Sequence, residues 1–152
     1  MGRRYDHMDV RVRNLEEARK FYATLLPALG FTRRRHVDDW LSFEAADSGK
    51  ATEFFGITES AHHIPNECRI AFWAESNREV DRLADIAVKA GARNVEGPGY
   101  DEGAGYYAVF FEDQRGIALR SATEKTKPHR LTCKRQIVFV IQNDVRPHSP
   151  AP

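Results

Sequence analysis

Apolar and polar residues alternate along the first patterned stretch of the chain. In HMDVRV, Met8, Val10 and Val12 point one way, and His7, Asp9 and Arg11 the other. A period of two marks a half-buried strand. The period then lengthens. Leu15, Ala18, Phe21, Tyr22, Leu25 and Leu29 recur at helical spacing, which predicts a helix with one apolar stripe. Asn14 stands before it with Glu17 three residues on, a capping box. Gly30 stands where a left-handed residue can end the helix. Strands are predicted next at 32–36, 40–45 and 52–57, with residues 46–50 as the turn between the last two.

The same order then returns. In RIAFWA, Ile70, Phe72 and Ala74 alternate with Arg69, Ala71 and Trp73. Ser76 caps a second helix with Glu79 completing the box, Val80, Leu83, Ala87 and Ala90 form its stripe, and Gly91 punctuates its end. Strands are predicted at 93–96, 106–111 and 116–120. The chain thus reads strand, helix, three strands, twice, with His7 and Arg69 at equivalent positions 62 residues apart. Neither half alone covers its sheet, so the pattern predicts two modules in pseudo-twofold pairing. Module one spans 4–60 and module two 67–121, in one domain of residues 1–121. The segment AHHIPNE joins them. Residues 122–152 form a basic tail with four prolines, in which residues 136–141 could add a strand.

Composition narrows the function classes. The chain has 152 residues, enough for one domain, and a formal net charge of +1. Residues 121–152 carry six Lys/Arg against two acids, which leaves the rest at −3. Taken whole, this is not the electrostatic footprint of a nucleic-acid-binding domain. No apolar run approaches a membrane span, and Arg3 and Arg4 are not followed by the apolar core of a signal peptide. A cytoplasmic protein with neither membrane nor nucleic-acid partner is expected. Cys68 and Cys133 fit no zinc spacing and read as free thiols. The glycine-rich GPGYDEGAGYY lacks the lysine and helix of a phosphate-binding loop and is expected to be a mobile rim loop.

Three stretches carry a resemblance. YDHMDVRVRNLEEARKFYATLLPALGF, RIAFWAESNREVDRLADIAVKAGA and YYAVFFEDQRGIALRS are similar to the vicinal oxygen chelate superfamily, the glyoxalase, bleomycin-resistance and dioxygenase group. The resemblance implies an α+β fold of two βαβββ modules, with a U-shaped mixed sheet around a concave site. It also implies a homodimer, a small-molecule ligand and, in the family's metalloenzymes, one divalent metal (Fe, Mn, Ni or Zn). The family's ligand positions fall here on His7, on Arg69, on Arg120 and within 52–57, where Glu53 is the good donor. His7 and Glu53 suit a metal. Arg69 and Arg120 do not, because a guanidinium is always positive and has no lone pair to give. The family's Asp-Pro-Asp-Gly turn is replaced by Asp113, Gln114, Arg115 and Gly116.

Alternation puts His7, Arg69 and Arg120 on the strand faces away from the helices. Two readings stay open there. The arginines either accept a negative group of an organic ligand, for which their planar fork is suited, or pair with internal acids such as Asp9 or Glu53. Trp73 shares the face of Arg69. Tyr106 or Tyr107, Phe110 or Phe111, Phe54 or Phe55, and Trp40 are further wall candidates, with Tyr107 and Phe55 the expected ones. The first functional expectation is a glyoxalase/bleomycin-resistance-like protein that binds a small aromatic anion, with the family metal site degenerate and no cofactor. Two alternatives compete: a metal-dependent lyase or dioxygenase of the same superfamily, and a non-catalytic regulator or scaffold acting through its basic tail.

Overall fold

The repeat in the sequence is a repeat in space. A computed structural model describes residues 6–45, 53–101, 105–124 and 137–140. Module one runs β1 (His7–Val12), α1 (Leu15–Ala28), β2 (Phe31–Val37), β3 (Trp40–Ala45) and β4 (Phe54–Glu59). Module two runs β5 (Arg69–Trp73), α2 (Asn77–Ala90), β6 (Arg93–Asp101), β7 (Tyr106–Glu112) and β8 (Ala118–Glu124). Both predicted caps form: Asn14 accepts from the Glu17 amide, and Ser76 from the Glu79 amide. Gly91 closes α2 with φ +90°, a left-handed conformation open to glycine at little cost.

Each module is a mixed open sheet. Sheet one has the order β1-β4-β3-β2, with β1 parallel to β4 and the other pairs antiparallel. Sheet two repeats that order as β5-β8-β7-β6, with β5 parallel to β8. This is the α+β architecture of two paired βαβββ modules. One feature breaks the pseudo-symmetry. A further strand, β9 (Ile137–Val140), lies antiparallel on the outer edge of β5, whereas the matching edge of β1 has no strand beside it among the described residues.

The helices cover one face of each sheet, and α1 packs on α2 to join the modules. The core is continuous across that junction: Phe72 of β5 lies 6.2 Å from Phe55 and 6.4 Å from Phe31, ring centre to ring centre. Polar contacts pin the same seam. The fully buried Tyr22 on α1 donates its hydroxyl to Asp113 in the β7–β8 turn at 3.1 Å, and Arg115 of that turn reaches Glu17 at 2.9 Å.

Two expectations change. The glycine-rich stretch is no rim loop through Asp101, because residues 97–101 belong to β6 and pair with β7 through bulges. Gly97 makes this possible: its φ is +87°, and a Cβ there would stand 2.7 Å from the Ala108 carbonyl oxygen. Module two also ends later than expected, with β8 running on to Glu124. The predicted turn at 46–50 lies outside the described residues.

Candidate functional site

Register and burial fix which side chains leave the core. On sheet two, Ile70, Phe72, Val109, Phe111 and Leu119 face the helices and are buried. The alternate positions form the opposite face: Arg69, Ala71 and Trp73 on β5, Ala118, Arg120 and Ala122 on β8, and Tyr106, Ala108 and Phe110 on β7. Arg120 sits between Ala71 on one side and Phe110 on the other. The alanines leave floor space beside it.

Two cations share this face. The Arg69 guanidinium lies 5.0 Å from the centre of the Phe110 ring. That of Arg120 lies 4.9 Å from Tyr106 and 5.8 Å from Phe110. Such cation–π contacts hold a guanidinium flat and leave its N–H edges free to bind. Among the described residues neither arginine meets a carboxylate. Asp9, one of the two acids expected to neutralise them, is taken by Arg11 at 2.8 Å and by the Thr58 hydroxyl at 3.1 Å. Arg120 Nε is also buried without a hydrogen-bond partner. A buried donor left unmade costs roughly 1–3 kcal/mol.

The open face of sheet one is different. It carries His7, Asp9 and Arg11 on β1, Phe54, Gly56 and Thr58 on β4, and Trp40, Ser42 and Glu44 on β3. The His7 imidazole stacks on Phe54 with ring centres 4.5 Å apart and planes 4° from parallel. Trp40 meets Phe54 edge-on. Gly56 keeps the floor open, since a Cβ would stand 3.1 Å from Trp40 Nε1 and 3.2 Å from Asp9 Oδ1.

The structure does not gather all the expected site residues. Among the described residues, no strand of sheet one is hydrogen-bonded to a strand of sheet two, and His7 lies on the first sheet whereas Arg69 and Arg120 lie on the second. Phe55 points the other way: it is 0% exposed, packed on Tyr22 and Phe72. Tyr107 also faces the helices. Its hydroxyl donates to Asp81 of α2 at 2.7 Å, and that bond pushes its pKa up. Tyr106 takes the place expected for Tyr107, and Phe54, on the open face of sheet one, the place expected for Phe55. Trp73 shares the arginine face and is half-buried. Glu53 immediately precedes β4. Beside β1, a cleft of about 350 Å³ opens at the junction of the modules, lined by His7 through Arg11, by His63, Pro65, Asn66 and Cys68, and by Ile70 and Ile117.

A family model for the glyoxalase/bleomycin resistance protein/dioxygenase superfamily matches residues 4–120. The chain belongs to that superfamily. Solved structures agree on the fold. A glyoxalase/bleomycin resistance protein from Albidiferax ferrireducens T118 is 23% identical, with a TM-score of 0.66 over 79% of this chain and 98% of that one. The fosfomycin resistance protein FosX from Mesorhizobium loti is 19% identical, with a TM-score of 0.61 over 82% and 95%. FosX from Listeria monocytogenes, 14% identical with a TM-score of 0.62 over 84% and 94%, was solved with Mn(II) and 1S,2S-dihydroxypropylphosphonic acid. A search of the curated proteins returned no match. Glyoxalase-superfamily members such as that FosX hold a divalent metal, so the donor set here must be compared with one. It does not fit. Arg69 and Arg120, which the resemblance puts at two ligand positions, are guanidinium groups with no lone pair to give, and among the described residues no three His, Cys, Asp or Glu side chains converge.

Proposed function

We propose that this glyoxalase-superfamily chain binds a small organic anion on the face of sheet two, with Arg69 and Arg120 gripping the negative group. The observation that carries the reading is the pair of arginines held over Phe110 and Tyr106 with no carboxylate among the described residues to neutralise them. A carboxylate or phosphonate would satisfy the accessible N–H edges of the two guanidinium groups. Tyr106, Phe110 and Trp73 give the rest of the ligand aromatic surface, which favours a flat, ring-bearing acid. No metal step is assigned, because Arg69 and Arg120 would repel a cation on this face.

The experiment is a thermal-stabilisation screen of matched pairs. Benzoate and phenylphosphonate should raise Tm in a concentration-dependent way, as selective binding to the native state requires. Benzamide and benzyl alcohol, of similar shape but neutral, should not. Equal shifts with the neutral partners would remove the anion from the reading.

A further inference from the structure

Sheet two carries an acid as well as two cations on its open face. Bulges interrupt the alternation along β6, so burial and pairing decide which way its side chains point. Val95 packs on the core, whereas Glu96 pairs with Phe110, Gly99 with Ala108 and Asp101 with Tyr106. Glu96 therefore shares the face of the arginines. One row across the sheet reads Ala71, Arg120, Phe110, Glu96: a small residue, a cation, a ring and a carboxylate on four neighbouring strands. One strand separates Arg120 from Glu96, which sets their backbones roughly 10 Å apart. Among the described residues Glu96 is exposed and meets no cation. Glu112, an acid on the same face of β7, is instead held by Asn94 at 3.0 Å.

There is space between the two charges. Ala108 and Gly99 form the next row, so Phe110 and Tyr106 flank a gap floored by small residues. A Cβ built on Gly99 would meet no atom of a non-adjacent residue within 4 Å. The Arg120 guanidinium enters from the β8 side, 4.9 Å from the Tyr106 ring centre and 5.8 Å from that of Phe110. We infer that the anion bound here is a zwitterion, an amino carboxylic acid with its two charges at opposite ends of a ring. Its carboxylate meets Arg69 and Arg120, its ring lies in the gap between Phe110 and Tyr106, and its ammonium meets Glu96. The inference rests on the anion reading and adds a second point of recognition to it. An exposed ion pair is weak, so Glu96 selects among ring-bearing acids and the arginines supply most of the affinity.

The probes are 4-(aminomethyl)benzoate and 4-(hydroxymethyl)benzoate, which match in shape and differ in the charge at the far end. Each is titrated calorimetrically into the full chain at neutral pH and low salt. The amino acid should bind about threefold more tightly than the alcohol, the scale of one exposed ion pair, and added salt should shrink that ratio. In Glu96→Gln, an exposed substitution that leaves the core untouched, the two probes should bind alike. Glu96→Lys should invert the preference. Equal binding of the two probes to the wild type, or an advantage of the amino acid that survives Glu96→Gln, overturns the zwitterion and leaves the anion reading standing. Failure of both probes and of benzoate to bind removes the two together.

Discussion

At the level of single residues, the departure from the family pattern lies in charge. By the resemblance, Arg120 falls where a metalloenzyme of this superfamily would place a carboxylate, and its neighbours suit a cation rather than a metal ligand. Phe110 and Tyr106 hold the guanidinium, and the pseudo-symmetric position in sheet one is Gly56, opposite Asp9 just as Arg120 is opposite Ala71. Replacing Arg120 with Gln should therefore weaken benzoate binding roughly tenfold or more, the scale of one charge-assisted hydrogen bond at about 1.5–3 kcal/mol. Fluorescence or calorimetric titration would register that loss. Tyr22 gives a second residue-level prediction. Burial, then the nearby Asp113 charge and the hydrogen bond to it, raise its pKa well above the ordinary 10.0. The native state holds that proton more tightly than the unfolded state. The resulting stability is fully present below pH 10 and is lost as pH rises towards the native-state value. Tyr22→Phe should cost about 1–3 kcal/mol at neutral pH and flatten the loss of stability above pH 10, both measurable by urea unfolding.

Among the elements, helices and strand order were legible in the sequence, and strand parity was only partly so. Both caps and both apolar stripes were readable because a 3.6-residue period over four turns has few alternatives. The walls of the site were harder to read. Phe54–Phe55, Tyr106–Tyr107 and Phe110–Phe111 are doublets, so an aromatic falls on each face whichever parity is chosen. The small residues resolve the parity: Val109 is core and Ala108 is not on that side, which sends Tyr106 and Phe110 to the open face. The division of His7 and the arginines between two sheets was not legible in local pattern alone, because it depends on how the modules pair. The β7–β8 turn gives an element-level test. Asp113 accepts from the Tyr22 hydroxyl and from the amides of Arg115 and Ile117. Asp113→Ala strands all three donors and should cost more than about 3 kcal/mol. Arg115→Ala removes only the half-exposed pair with Glu17 and should cost under about 1 kcal/mol. A larger loss at Arg115 than at Asp113 would show that the seam between the modules is held differently.

For the molecule as a whole, pseudo-symmetry sets a frame that function has filled unequally. Sheet two carries the arginines and is extended at its edge by β9. Sheet one carries the aromatic stack, and no described strand covers the outer edge of β1. Ending the chain after Glu124 would remove β9 and leave the outer edge of β5 unpaired. Faster hydrogen exchange at β5 and a greater tendency to aggregate are expected, since an unpaired edge recruits other strands. Unchanged exchange would mean that β9 contributes nothing to the protection of β5. The central claim is that this superfamily member holds a negative group where metalloenzymes of the fold hold a positive ion. Calorimetric titration of benzoate into the wild type and into the Arg69→Gln/Arg120→Gln double variant tests it most directly. The account predicts saturable binding to the wild type that weakens with added salt and is absent from the double variant. Equal affinity in the two proteins, or no binding to the wild type, would contradict it.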